Sequence, residues 1–146
     1  MKDWLDESLV QLLEKDAAQS SEALAKQLNV SAVTVRRRVR RLIQSGVLRI
    51  VAVVDPNKVG FPLTAVIAFD VAHDKLDSVT QLLASRPEVQ WVSTTTGRFD
   101  VLVLVRFRST NELSDFIQRE LVDIEGVRDS ETFICLDTKK GHYIQI

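Results

Sequence analysis

The spacing of apolar residues changes once along this chain, and the change calls for two units of different kinds. Up to about residue 45 the apolar positions recur at helical intervals. Beyond residue 62, short β-prone runs alternate with helical stretches. In the first region Leu5, Leu9, Leu12 and Leu13 fall at i, i+4, i+7 and i+8, with Asp3 or Asp6 suited to cap the helix start. Ser20 or Ser21 opens a second helix carrying Leu24, Ala25 and Leu28. Asn29-Val30-Ser31 forms a tight turn, and a third helix runs from about Ser31 to Ser45 and ends at Gly46.

Val47 to Val54 is rich in β-formers and is stopped by Asp55-Pro56-Asn57, so it is expected as a β-rich linker and boundary. Strands are then expected over 65–71, 89–96, 99–107 and 127–136, with a short fifth over 142–146. Helices start near Leu76 and after Ser109. The order β-α-β-β-α-β is the ferredoxin-like arrangement. The expected fold class is therefore α+β: a three-helix helix-turn-helix, winged or plain, over 1–48; a hinge over 49–61; and a βαββαβ domain over 62–146. Val101 to Val105 is apolar on both faces, and a second subunit is the natural cover for the face that helices leave open.

The formal net charge is only −1, but the charge is unevenly spread. Residues 1–30 carry three Lys against six acids, whereas residues 31–50 carry six Arg and no acid. On the third helix Val35, Val39, Leu42 and Ile43 lie within about 100° of one another and form the packed face. Arg37 and Arg41 lie roughly opposite, Thr34 and Arg40 beside them, and Arg36 and Arg38 flank the apolar stripe. Arginines without an acid on the same helix repel one another, which a polyanionic partner relieves. Placed on the last helix of a three-helix unit after a short turn, they mark a recognition helix for double-stranded DNA. Val33, Thr34 and Arg37 are then the candidate base readers, with Arg37 able to pair bidentately with guanine. Ser31, Arg36, Arg38, Arg40 and Arg41 are the candidate phosphate contacts, Arg38 being also a candidate structural residue beside the packed stripe.

These segments together resemble the Lrp/AsnC, or feast/famine, family of regulators. The resemblance is carried by Leu5-Asp6, Glu22 to Ala25, Val30 to Leu42, Gly46-Val47-Leu48, Asp55-Pro56 with Val59-Gly60, Thr96 to Asp100, and Gly126-Val127 with Thr132. It covers essentially the whole chain in order. It implies a helix-turn-helix, a β hinge, a ligand domain, homodimers that pair through their sheets and assemble to tetramers or octamers, near-palindromic DNA sites, and an amino-acid effector held between dimers. The effector residues it implies are Gly97, Arg98, Phe99 and Asp100 in a loop, and Thr132 and Ile134 on the last strand. Arg98 departs from relatives that carry an acid there. It can pair with a ligand carboxylate, and it also suits an ordinary strand-connecting turn that Asp100 caps.

No catalytic arrangement, metal-ligand spacing or cofactor motif is found: His73 and His142 are far apart and Cys135 is single. Trp4 and Trp91 read as core or interface residues. The acidic Met1 to Glu7 segment has no signal-peptide character and no apolar run approaches the ~20 residues of a membrane span, so a cytoplasmic protein without a membrane partner is expected. Two alternatives stay open: an enzyme on the same scaffold, such as a sirohaem-type tetrapyrrole decarboxylase, and a ligand-sensing co-regulator without DNA specificity of its own.

Overall fold

The computed structural model describes residues 3–141. The expected fifth strand at 142–146 lies outside them. The chain divides between Ala52 and Val53 into two compact units.

The first unit is three helices: α1 (Trp4–Lys15), α2 (Ser21–Leu28) and α3 (Ala32–Gln44). Each start is capped by the side chain immediately before it. Asp3 accepts from Leu5 N, Ser20 from Ala23 N, and Ser31 from Thr34 N. Between α2 and α3, Asn29 takes a left-handed conformation (φ 52°, ψ 45°), which asparagine tolerates better than most residues. α3 ends in a Schellman motif: Gly46 has φ 73°, Gly46 N donates to Ile43 O, and Val47 N donates to Leu42 O. Leu5, Leu9, Leu13, Leu24, Ala25, Val35 and Leu42 form the core. Ile43, expected on the packed face, is 45% exposed because it lies at the edge of that arc. Trp4 is likewise exposed rather than core.

The β hinge strand is not formed within one chain. Residues 47–53 carry no strand, and Val54 alone takes part in a bridge. A strand exists only where its N–H and C=O groups find a neighbour, and Val47, Ile50, Val51 and Val53 remain exposed.

The second unit runs β1 (Leu63–Val71), α4 (Leu76–Ala84), β2 (Val89–Thr94), β3 (Val101–Phe107), α5 (Thr110–Phe116) and β4 (Val127–Ile134). α5 continues as one π-helical turn over Ile117–Leu121. The strands form one antiparallel sheet in the order β2-β3-β1-β4, as the βαββαβ reading requires. Alternate residues Ala65, Ile67, Phe69 and Val71 of β1 and Val101, Val103, Val105 and Phe107 of β3 pack beneath α4 and α5 with Val79, Leu83, Leu113 and Phe116.

The opposite face carries an apolar row across all four strands. The strand register pairs Trp91 with Leu104, Leu104 with Val66, and Val66 with Phe133. Trp91 and Phe133 are 49% and 48% exposed. Where α5 and its π turn give way to β4, Gly126 has φ 96°, and a Cβ there would stand 2.4 Å from Lys75 Cβ, so the junction admits only glycine.

Candidate functional site

The basic helix begins at a firm corner. Ser31 Oγ accepts from Thr34 N at 3.1 Å and lies 2.9 Å from Thr34 Oγ1, which fixes the Thr34 hydroxyl at the first turn. With Val35 and Leu42 buried inward, Val33, Arg37 and Arg40 fall within an arc of about 60° on the outer side. All three are exposed.

The arginines on the flanks have partners that sequence reasoning missed. Arg36 pairs with Glu22 of α2 at 2.8 Å. Arg38 Nη1 donates to Asp3 and lies 3.3 Å from Asp6 Oδ1, and Arg41 Nη2 donates to Asp6 Oδ2. The helix has no acid of its own, but α1 and α2 supply them. The signal was present: Asp3 and Asp6 are one turn apart, and Asp6 adjoins Leu5 of the packed stripe. The Leu5 N–H, and then the Arg38 guanidinium, hold the Asp3 carboxyl below its ordinary value of 3.8. Arg38 is correspondingly raised, chiefly by Asp3. Glu22 is lowered first by its own backbone N–H and then by Arg36. Arg37 and Arg40 have no ion pair among the described residues. The candidate phosphate and base contacts are thus brought onto one helix and its N-cap Ser31, but only Arg37 and Arg40 of its arginines have no ion pair among the described residues.

In the second unit the expected effector loop is tightly braced. Thr95 Oγ1 donates to Phe99 O at 2.8 Å, Thr95 N to Asp100 O at 2.9 Å, and Asp100 N to Phe69 O at 2.9 Å. Asp100 Oδ2 accepts from Val71 N at 2.8 Å. Gly97 has φ 114°, a conformation that favours glycine. Arg98 stands over the Phe99 ring at 5.0 Å and reaches Glu131 of β4 at 3.9 Å, with its side chain 77% exposed.

Thr132 and Ile134 do not join that loop. Paired with Ile67 and Ala65, they face the helical side of the sheet. There they line a groove of about 330 Å³ with Leu113, Ser114 and Ile117 of α5. Within one chain, therefore, the six effector residues occupy two places. A separate cleft of about 560 Å³, lined by Phe61, Gln90, Arg108 and Arg119 among others, lies at the other end of the β2–β3 pair from the loop, and no motif marks it in the sequence. Among the described residues no group of three His, Cys, Asp or Glu is placed to hold a metal ion, and no helix is long and apolar enough to cross a membrane.

Comparison with known proteins agrees in both units. A family model for the AsnC-type helix-turn-helix domain matches residues 3–43, and one for the Lrp/AsnC ligand binding domain matches residues 64–144. The chain is 36% identical over 145 residues to an HTH-type transcriptional regulator of Pyrococcus abyssi, covering 99% of this chain and 92% of that one. The structure of E. coli AsnC superposes with a TM-score of 0.87 at 26% identity, covering 95% of each chain. A Neisseria meningitidis transcriptional regulator, solved in complex with L-Met, shares the fold at a TM-score of 0.88 and 24% identity, over 97% of this chain and 94% of that one. The relatives are regulators rather than enzymes, which sets the decarboxylase alternative aside. This chain belongs to the Lrp/AsnC family of helix-turn-helix transcriptional regulators.

Proposed function

We propose that this cytoplasmic regulator reads double-stranded DNA with the outer side of α3 and that an amino acid, bound between copies of the chain, tunes that binding. The observation that carries the reading is the row Val33, Arg37 and Arg40: exposed, on one side of a capped helix, with both arginines free of ion pairs among the described residues. The N-terminal part of a recognition helix reaches base edges, which assigns reading to Val33, Thr34 and Arg37. Ser31, Arg36 and Arg40 are assigned to phosphates, which position the helix without specifying sequence.

The Neisseria regulator's complex with L-Met supports an amino acid as the effector class. Arg98 suits the carboxylate of such a ligand, and the Asp100 oxygen not taken by Val71 suits its ammonium. The separation of this loop from Thr132 and Ile134 within one chain favours a site completed by a neighbouring copy. The apolar row Trp91-Leu104-Val66-Phe133 is the surface best suited to pair two copies through their sheets. Tetramers and octamers are the higher assemblies to look for.

Duplex binding by Arg37→Ala tests the reading. Loss of preference between recovered genomic fragments and random duplex supports it. Unchanged preference and affinity overturn the assignment of α3.

A further inference from the structure

Asp6 of α1 and Asp3, the cap before it, cancel two of the five arginines on α3. Asp6 has a side chain only 6% exposed, and both its oxygens are engaged, Oδ1 by Arg38 at 3.3 Å and Oδ2 by Arg41. Asp3 caps α1 through Oδ1, with Leu5 N at 3.1 Å, and binds the same Arg38 through Oδ2. An enclosed carboxylate is tolerable only when it is paired and hydrogen-bonded. Two carboxylates and two guanidiniums form a neutral quartet. The Arg36–Glu22 pair is different, since its side chains are 53% and 68% exposed and solvent screens it.

Phosphate and carboxylate compete for the same guanidinium donors. Sequence-independent DNA affinity scales with the number of phosphates neutralised, whereas selectivity comes from base edges. We propose that Asp6, helped by Asp3, is a specificity-determining positioning residue: it neutralises Arg38 and Arg41, so that the unselective attraction of α3 rests on Arg36 and Arg40 and base reading by Arg37 is not swamped. The quartet acts as a built-in phosphate mimic on the DNA-binding unit.

The test is the salt dependence of binding to a random-sequence duplex, measured on the full chain by fluorescence anisotropy between 50 and 200 mM salt. Asp6→Asn keeps the shape and removes the charge. Its log–log slope should steepen by up to about 0.9 per bound protomer, for the one positive charge that loss of the Asp6 carboxylate uncovers, so that its affinity gain over the parent is about three- to fourfold larger at the low-salt end than at the high-salt end. The triple variant Asp6→Asn/Arg38→Gln/Arg41→Gln should return to the parent slope.

Preference for recovered genomic fragments over random duplex should fall in Asp6→Asn and recover in the triple variant. If circular dichroism shows Asp6→Asn unfolded, Asp3→Ser decides. It keeps a capping oxygen and frees part of Arg38, and its slope should steepen by up to about 0.9. A folded Asp6→Asn with the parent slope overturns the proposal. So does a shallower slope, which would mean that Asp6 holds the two arginines in place as phosphate contacts. A triple variant that keeps the steep slope, or an unchanged slope in a deciding Asp3→Ser, also overturns it.

Discussion

Asp100 Oδ2 accepts the Val71 N–H at 2.8 Å, tying the loop before β3 to the last residue of β1. The neighbouring backbone bond, Asp100 N to Phe69 O at 2.9 Å, makes the tie two-stranded. The loop that carries Arg98 is therefore a rigid extension of the central strands. Asp100→Ala should destabilise the second unit by about 1.5 kcal/mol, the lower end of the range for a charge-assisted bond because the carboxylate is partly solvated. It should also abolish the response to an amino-acid effector. Urea unfolding, followed by DNA binding with and without effector, reads both effects. An intact response would place the ligand elsewhere.

Arg37 and Arg40 share a side of α3 but should fail differently. Arg37→Ala should cost about 1–3 kcal/mol on a selected site and little on random duplex, because base contacts carry selectivity. Arg40→Ala should weaken every duplex alike and reduce the salt slope by about 0.9 per bound protomer. Titrations on both duplexes at several salt concentrations separate the two. Equal losses on both sequences for Arg37→Ala would remove it from the base-reading role.

Acid should weaken the first unit through Asp3. The Leu5 N–H and Arg38 hold its folded carboxyl below the ordinary 3.8. The unfolded chain therefore binds this proton more readily, and the stabilisation is complete above the ordinary value and lost as pH falls through the depressed one. Glu22, also lowered from 4.5, contributes in the same direction. Asp3→Asn keeps a capping oxygen but cannot titrate, so its melting temperature should fall less than the parent's below about pH 4. Parallel curves would contradict the assignment.

The apolar row on the open sheet face should hold two copies together. Phe133→Glu places a charge beside Val66, where half-exposed aromatic surface now stands, and should shift the chain towards monomer in analytical ultracentrifugation while leaving its circular dichroism intact. An unchanged sedimentation coefficient would move the interface to another surface.

What the sequence revealed follows what is encoded locally. Capping residues Ser20 and Ser31, the left-handed Asn29 and Gly46 act within a few positions of themselves, and they mark the helix ends where they fall. The alternation along β1 and β3 told inward from outward positions for the same reason. Asp6 with Arg41, 35 positions apart, depends on how α1 crosses α3 and has no local signature beyond an acid beside a leucine stripe. The hinge at 47–53 shows the opposite failure: its β propensity is real, but a strand requires a partner that one chain does not provide. Only the family resemblance groups Thr132 and Ile134 with the loop, and the pairing of β4 with β1 turns them to the helical face.

DNA reading by α3 under amino-acid control is tested by recovery of sheared genomic DNA by the purified full chain at near-physiological salt, repeated with each amino acid in turn and with Arg37→Ala as control. Enrichment of a small set of near-palindromic fragments, altered by one amino acid or a chemically related few and lost in the control, is the expected result. Uniform weak recovery, identical with every amino acid and in the control, would contradict it.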